Sequence, residues 1–370
     1  MNQARELTRR LALAALACGA AAGCGSTSGP VAIGTAGPFQ EGYAQMVKRA
    51  VEMAVEEANA DGGVNGAPIE VVARDDGGDG VRAAAIAQEF LDTPNLVAVV
   101  GHANSGGMAG AAPLYDHGLP AVIPSATSPA LTGVSPWVFR VTTNDSTNGA
   151  MLARFAAAQG ARRVAVLYEN NVYGRDLAQA FRTAYPGTLA AMDPIPGDGS
   201  RVEPFVSYLR QIQPELVFVA GTELSGRALL REAERQGFQT QWLAGDGWAG
   251  LTGDTAIAEG VYMATPFAVT DPRPEAQRFV EAFRNKYGVT PDANAAMAYD
   301  ATRLVVAALR EEGASRRGVR AYLERVKGAR AFPGVTGPVA FRDDHDPDRG
   351  GALIAQVRAG TLQPIEEGSR

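Results

Sequence analysis

The sequence predicts an α/β protein of two doubly wound lobes, each built on a parallel sheet. Its 370 residues exceed the ~150 of a typical domain, so two compact lobes are expected. Short apolar, β-branched runs such as Leu96–Val100 and Leu216–Ala220 alternate with stretches of helical apolar spacing such as 45–59. Alternation of this kind builds parallel strands covered by helices. A hydrophobic fraction of 46% and a charged fraction of 20% are those of an ordinary globular chain. The net charge of −6 and the lack of a basic cluster exclude a nucleic-acid partner.

Residues 1–23 stand apart from this pattern. Arg5, Arg9 and Arg10 precede an apolar run of 12 residues, Leu11 to Ala22. That is short of the ~20 needed to span a bilayer and fits a signal-peptide core. Ala21-Ala22-Gly23-Cys24 has the form of a lipobox, which predicts a diacylated Cys24 as the anchor and no other membrane contact. Cys18 is the rival site, with a core of only Leu11–Ala17, and Thr8-Arg9-Arg10-Leu11 leaves twin-arginine export open. These are the only two cysteines, so the mature chain has no disulfide and depends on the size of its core.

In order, a strand is expected at 30–34 and a helix at 45–59, stopped by Gly62-Gly63. Asn65-Gly66 turns into a strand at 69–73, and Asp75-Asp76-Gly77-Gly78 leaves it as a solvated turn. A helix at 81–91 leads to the strand Leu96–Val100. Asn104-Ser105-Gly106-Gly107 then opens an alanine-rich helix running to about Asp116, and 121–124 is the next strand. After a strand at 137–140, Val141-Thr142-Thr143-Asn144-Asp145 is polar, extended and hinge-like. The second series has strands at 163–168, 216–220, 241–244 and 260–263, with helices at 174–185, 202–213 and 225–236. Long helices follow at 273–287 and 293–312, then a helix near 315–326, a strand at 339–341, and a last strand at 352–357 turning at Ala359-Gly360. No internal repeat is present.

Chemistry-bearing motifs are sparse. His102, His117 and His345 sit with no cysteine or carboxylate at metal spacing. No HExxH, P-loop, G-x-S-x-G or dinucleotide fingerprint occurs. Asp344, Asp346, Asp348 and Gly350 imitate a calcium loop, but its twelfth position is Ala355 where a bidentate Glu is needed, so the segment reads as a solvated turn. No metal and no cofactor is expected, and catalysis is the weakest functional class.

The segment Val99–Thr132 carries more. Two neighbouring strands end in Ser-, Thr- and Gly-rich turns, GHANSGG and PSATSPALT. At the carboxyl ends of parallel strands, such turns and helix N-termini present free N–H groups to an anion. Together, in their order and spacing, these turns resemble the paired ligand turns of periplasmic solute-binding proteins for leucine, isoleucine and valine. These are the receptors of branched-chain amino-acid ABC transporters, and the likeness runs from about Pro30 to the C-terminus.

The resemblance implies a type I periplasmic-binding fold whose chain crosses between lobes near 143, 266 and 342. Residues 24–143 plus 267–341 would form the N-terminal lobe, and 144–266 plus 342–370 the C-terminal one. It implies a monomeric, exported, lipid-anchored receptor delivering an amino acid to an ABC permease and ATPase. Carboxylate donors would be Ser105, the N–H groups around Gly106, and Thr127. Ammonium acceptors would be the turn Ser125-Ala126-Thr127 and the carboxylate Asp246, where the family carries Glu. Tyr43 and Tyr173 match ligand-contacting tyrosines. Thr222 stands where leucine-type receptors place a tyrosine, Gly106-Gly107 replace serines, and Gly78 and Asn104 hold the positions of a cysteine pair common in the family. An aromatic acid, amide or urea-like ligand, or a sensory role, is the alternative.

Overall fold

The computed structural model describes residues 29–365. The expected signal peptide, Cys18 and Cys24 lie outside the described residues. Among those described, no helix is long and apolar enough to cross a membrane.

The first lobe is a parallel sheet of β1 (Val31–Gly37), β2 (Ile69–Asp75), β3 (Leu96–Val100), β4 (Ala121–Ile123) and β5 (Val138–Arg140), in the order β2-β1-β3-β4-β5. All five residues of β3 are buried, as a strand covered on both faces requires. On one face lie α1 (Gly42–Ala60), α9 (Pro274–Tyr287), α10 (Ala293–Glu312) and α11 (Arg316–Arg325); on the other lie α2 (Gly80–Asp92) and α3 (Ser105–Tyr115).

The second lobe holds α4 (Asp145–Ala158), β6 (Arg163–Glu169), α5 (Val172–Ala184), β7 (Thr188–Ile195) and α6 (Glu203–Ile212). It continues with β8 (Leu216–Ala220), α7 (Glu223–Arg235), β9 (Gln241–Ala244), the short α8 (Thr255–Ala258) and β10 (Tyr262–Thr265). The chain then returns to the first lobe through α9, α10 and α11. There β11 (Phe332–Gly334) and β12 (Gly337–Val339) form a hairpin, before β13 (Leu353–Arg358) and β14 (Thr361–Pro364) complete the second sheet. Its order is β14-β13-β10-β9-β8-β6-β7. Apolar layers cover both faces, with α4 and α5 on one side and α6 and α7 on the other.

Three expectations need correction. The sheet of the second lobe is not wholly parallel, because β13 runs antiparallel to β10 and to β14. Three strands, β7, β11 and β14, are additional to those expected, and the strand expected at 339–341 ends at Val339. The calcium-like segment is not a solvated turn, since Asp346 is 1% exposed and takes Nε and Nη2 of Arg140, itself 1% exposed, at 2.8 and 2.5 Å. Thr132 and Asn144 bond the other Asp346 oxygen at 2.9 and 3.1 Å. The network ties the end of β5 and the first crossing to the segment leading into β13.

Candidate functional site

A cavity of about 260 Å³ lies where the carboxyl ends of the two sheets face each other. The loop after β1 brings Glu41, the first turn of α1 brings Tyr43, the first turn of α3 brings Ser105 and Gly106, and Ser125 follows β4. From the facing lobe come Glu169 at the end of β6, Tyr173 at the start of α5, Thr222 after β8 and Asp246 after β9. Asn294, on α10, lies in the same wall.

On the first lobe, α3 points its N-terminus at the cavity. Asn104 caps it by accepting from Gly107 N–H at 2.5 Å, which leaves the other first-turn N–H groups without intrahelical partners. Ser105 accepts from Ser128 N–H at 3.2 Å, so its own proton remains available to a ligand oxygen. The Ser125 hydroxyl donates to the Ala103 carbonyl at 2.7 Å. Gly78, with φ +74°, sits against Asn104: an added Cβ would lie 2.7 Å from its Nδ2. The positions matching the family's cysteine pair are thus neighbours here, closed by packing instead of a covalent bond.

On the second lobe, Asp246 is 9% exposed and accepts the Tyr173 hydroxyl on Oδ1 at 2.8 Å. The same hydroxyl oxygen accepts Gly247 N–H at 3.2 Å. No second side chain among the described residues bonds Asp246; the backbone N–H groups of Asp246 and Gly247 favour its charged form, but burial outweighs them and pushes the carboxyl above the ordinary Asp range. Glu169 is complete by contrast. Its Oε1 accepts Thr222 N–H at 2.7 Å, the Thr222 hydroxyl at 2.8 Å and the Ser225 hydroxyl at 2.7 Å, while Oε2 accepts Asn171 Nδ2 at 2.8 Å.

Seven of the nine expected ligand residues line this cavity: Tyr43, Ser105, Gly106, Ser125, Tyr173, Thr222 and Asp246. Ala126 and Thr127 do not. Both are buried, and the Thr127 hydroxyl is spent on Asp145 Oδ2 at 2.8 Å. Two carboxylates not foreseen in the sequence, Glu41 and Glu169, share the lining with Asp246. Both follow apolar strand runs, at positions where parallel strands present side chains to a ligand; that topological position was the usable signal. Asp76, expected in a solvated turn, is fully buried and meets His102 Nδ1 at 2.7 Å, whose Nε2 meets the Tyr115 hydroxyl at 2.8 Å.

Two α/β lobes with a cleft at their facing strand ends are the architecture of one family of receptors, and a family profile described as "Periplasmic binding protein" matches residues 30–361. The chain belongs to the periplasmic binding protein family. This periplasmic binding protein is 29% identical over 303 residues to an "Amino acid binding protein" of Pseudomonas aeruginosa, covering 77% of this chain and 79% of that one. LivJ from Streptococcus pneumoniae, solved in complex with isoleucine, superposes with a TM-score of 0.84 at 27% identity, over 90% of this chain and 98% of LivJ. A solute-binding protein from R. palustris in complex with benzoate shares the fold, with a TM-score of 0.83 over 91% of this chain and 95% of that one at 16% identity. The family is one of solute binding, and its ligands are small molecules.

Proposed function

We propose that this periplasmic binding protein closes its lobes around a free α-amino acid and delivers it to an ABC permease. One observation carries the reading. The cavity lining holds three carboxylates, Glu41, Glu169 and Asp246, and no Lys, Arg or His. Enclosing an ammonium group demands a buried countercharge, which Asp246 supplies, while Ser105 and the N-terminus of α3 serve the α-carboxylate. A benzoate-like anion would meet three negative groups with no cation to offset them, so the lining argues against an aromatic acid. The volume, below the ~300 Å³ at which pockets for drug-sized ligands begin, suits an amino acid.

The names of the more similar relatives support the same reading. In it Tyr43, Gly106, Ser125, Tyr173 and Thr222 shape the cleft, the lobes meet at hinges near 143, 266 and 342, and Cys24 is the lipid anchor. Thermal-shift screening against the common amino acids and against benzoates tests it, because a ligand that binds only the folded state raises its melting temperature. Amino acids should raise the midpoint and benzoates should not; the reverse pattern sinks the proposal. A true ligand should also shrink the radius of gyration in solution scattering, as hinge closure requires.

A further inference from the structure

The cavity has two negative poles. At one, Asp246 is bonded to Tyr173 and lies near Asp145, a carboxylate buried on α4. At the other, Glu41 shares the lining with Glu169, and a Cβ added at the adjacent Gly42 would lie 2.8 Å from Glu223 Oε2. Glu41 occupies the N-cap position of α1 but gives the helix no side-chain bond, and its carboxylate has no hydrogen-bond partner among the described residues. Glu169 is satisfied by neutral donors, and Glu223 is paired to Arg227 at 2.7 Å. Glu41 is therefore the unpaired charge. Beside it, Asn294 is 8% exposed; its Nδ2 donates to Asp292 Oδ2 at 3.1 Å, and its Oδ1 is an unpartnered acceptor in the cavity wall. Gly42, Glu223, Asp292 and Ala293 line one adjoining cavity, which places Asn294 at the Glu41 pole.

A neutral side chain would leave both acceptors dry and unbonded on closure, a costly arrangement for a carboxylate beside two others. Resting on the amino-acid reading above, we infer that the ligand is a dibasic α-amino acid of the lysine, ornithine or arginine type. Its α-ammonium sits at Asp246, and its side-chain cation is received by Glu41 with help from the Asn294 carbonyl. Burial beside Glu169 and Glu223 pushes Glu41 up to about 7, the behaviour of a carboxylate lacking its countercharge.

The test is calorimetric titration of the whole protein at pH 8 with lysine, ornithine, arginine, norleucine and benzoate. Norleucine is lysine without its side-chain ammonium. Wild type should bind at least one basic amino acid at least ~10-fold tighter than norleucine, and Glu41→Gln should compress the lysine-to-norleucine ratio below ~3-fold. If norleucine matches or exceeds all three basic acids, or if Glu41→Gln leaves the ratio unchanged, the inference falls while the amino-acid reading stands. If benzoate binds and none of the amino acids does, both fall. A ligand-free melting curve checks that Glu41→Gln is folded; should it not be, the wild-type ratio alone decides.

Discussion

At the meeting of the first and third crossings, Asp346 is enclosed with both oxygens bonded and a guanidinium as countercharge, while in the cleft Asp246 has one side-chain partner and Glu41 none. All are carboxylates withdrawn from water in one chain. The first is completed from within by Arg140, Thr132 and Asn144, and so it fixes how the crossing segments lie against each other. The cleft groups are left incomplete at a cost in the empty state, which only a ligand bringing donors and positive charge offsets. A buried carboxylate that the fold satisfies is architecture; one that the fold leaves open is a place for something else.

That contrast breaks most sharply at Asp246. Asp246→Asn keeps the shape and the contact with Tyr173 but removes the charge, and loss of one partner of a buried pair costs ~3–5 kcal/mol, or roughly two to four decades of affinity. Calorimetry should show that loss for the amino-acid ligand, while the ligand-free melting temperature does not fall. Arg140→Met should do the opposite. It strands Asp346, with Thr132 and Asn144 still bonding it, and should lower unfolding stability by about 3 kcal/mol, read from the denaturant midpoint.

A smaller effect separates the two regions by pH. Glu41 titrates at about 7 in the folded protein against a reference of 4.5, and Asp292 at about 6 against 3.8. Groups raised on folding favour the folded state fully below their unfolded values, and that contribution is lost as pH rises through the folded ones. The melting temperature of the ligand-free wild type should therefore fall, relative to Glu41→Gln, between pH 5 and 8. An unchanged gap between the two proteins across that range would contradict the placement of Glu41. The smallest effect is at Ser128, whose hydroxyl donates to Asp176 of α5 across the lobes. Ser128→Ala should cost about 1 kcal/mol, read by calorimetry as weaker ligand binding and by the denaturant midpoint as lower stability, because the same hydroxyl also accepts Ala130 N–H at 3.3 Å within its own lobe.

The interior of both sheets and the edges of the first, β2 and β5, were legible in the sequence; the edges of the second sheet were not. Strands β3 and β8, buried along their whole length, announce themselves as apolar runs. Of the three unforeseen strands, β11 belongs to a short separate hairpin, and β7 and β14 are the two edges of the second sheet. Both are half-exposed and carry a proline, Pro194 and Pro364, which an edge tolerates because the N–H that proline lacks has no ladder partner on the open side. The site divides in the same way. Residues in Gly- and Ser-rich turns at strand ends, such as Ser105 and Ser125, were visible from turn chemistry, and Asp246 from its place in a resembling pattern. Glu41 and Glu169 were hidden, because a lone carboxylate reads as a solvated residue until the opposite lobe covers it. Asp76 and Asp346 were misread for the same reason, their partners His102 and Arg140 lying 26 and 206 positions away.

The claim that Asp246 holds an α-ammonium is tested most directly by paired titrations of the wild-type protein: norleucine against hexanoate, and lysine against 6-aminohexanoate. Each pair differs only in the α-amino group. In the pair that binds, the amino acid should be at least ~100-fold tighter, as removal of a buried ion-pair partner requires. A des-amino compound that binds as tightly as its amino acid, or tighter, would contradict the account.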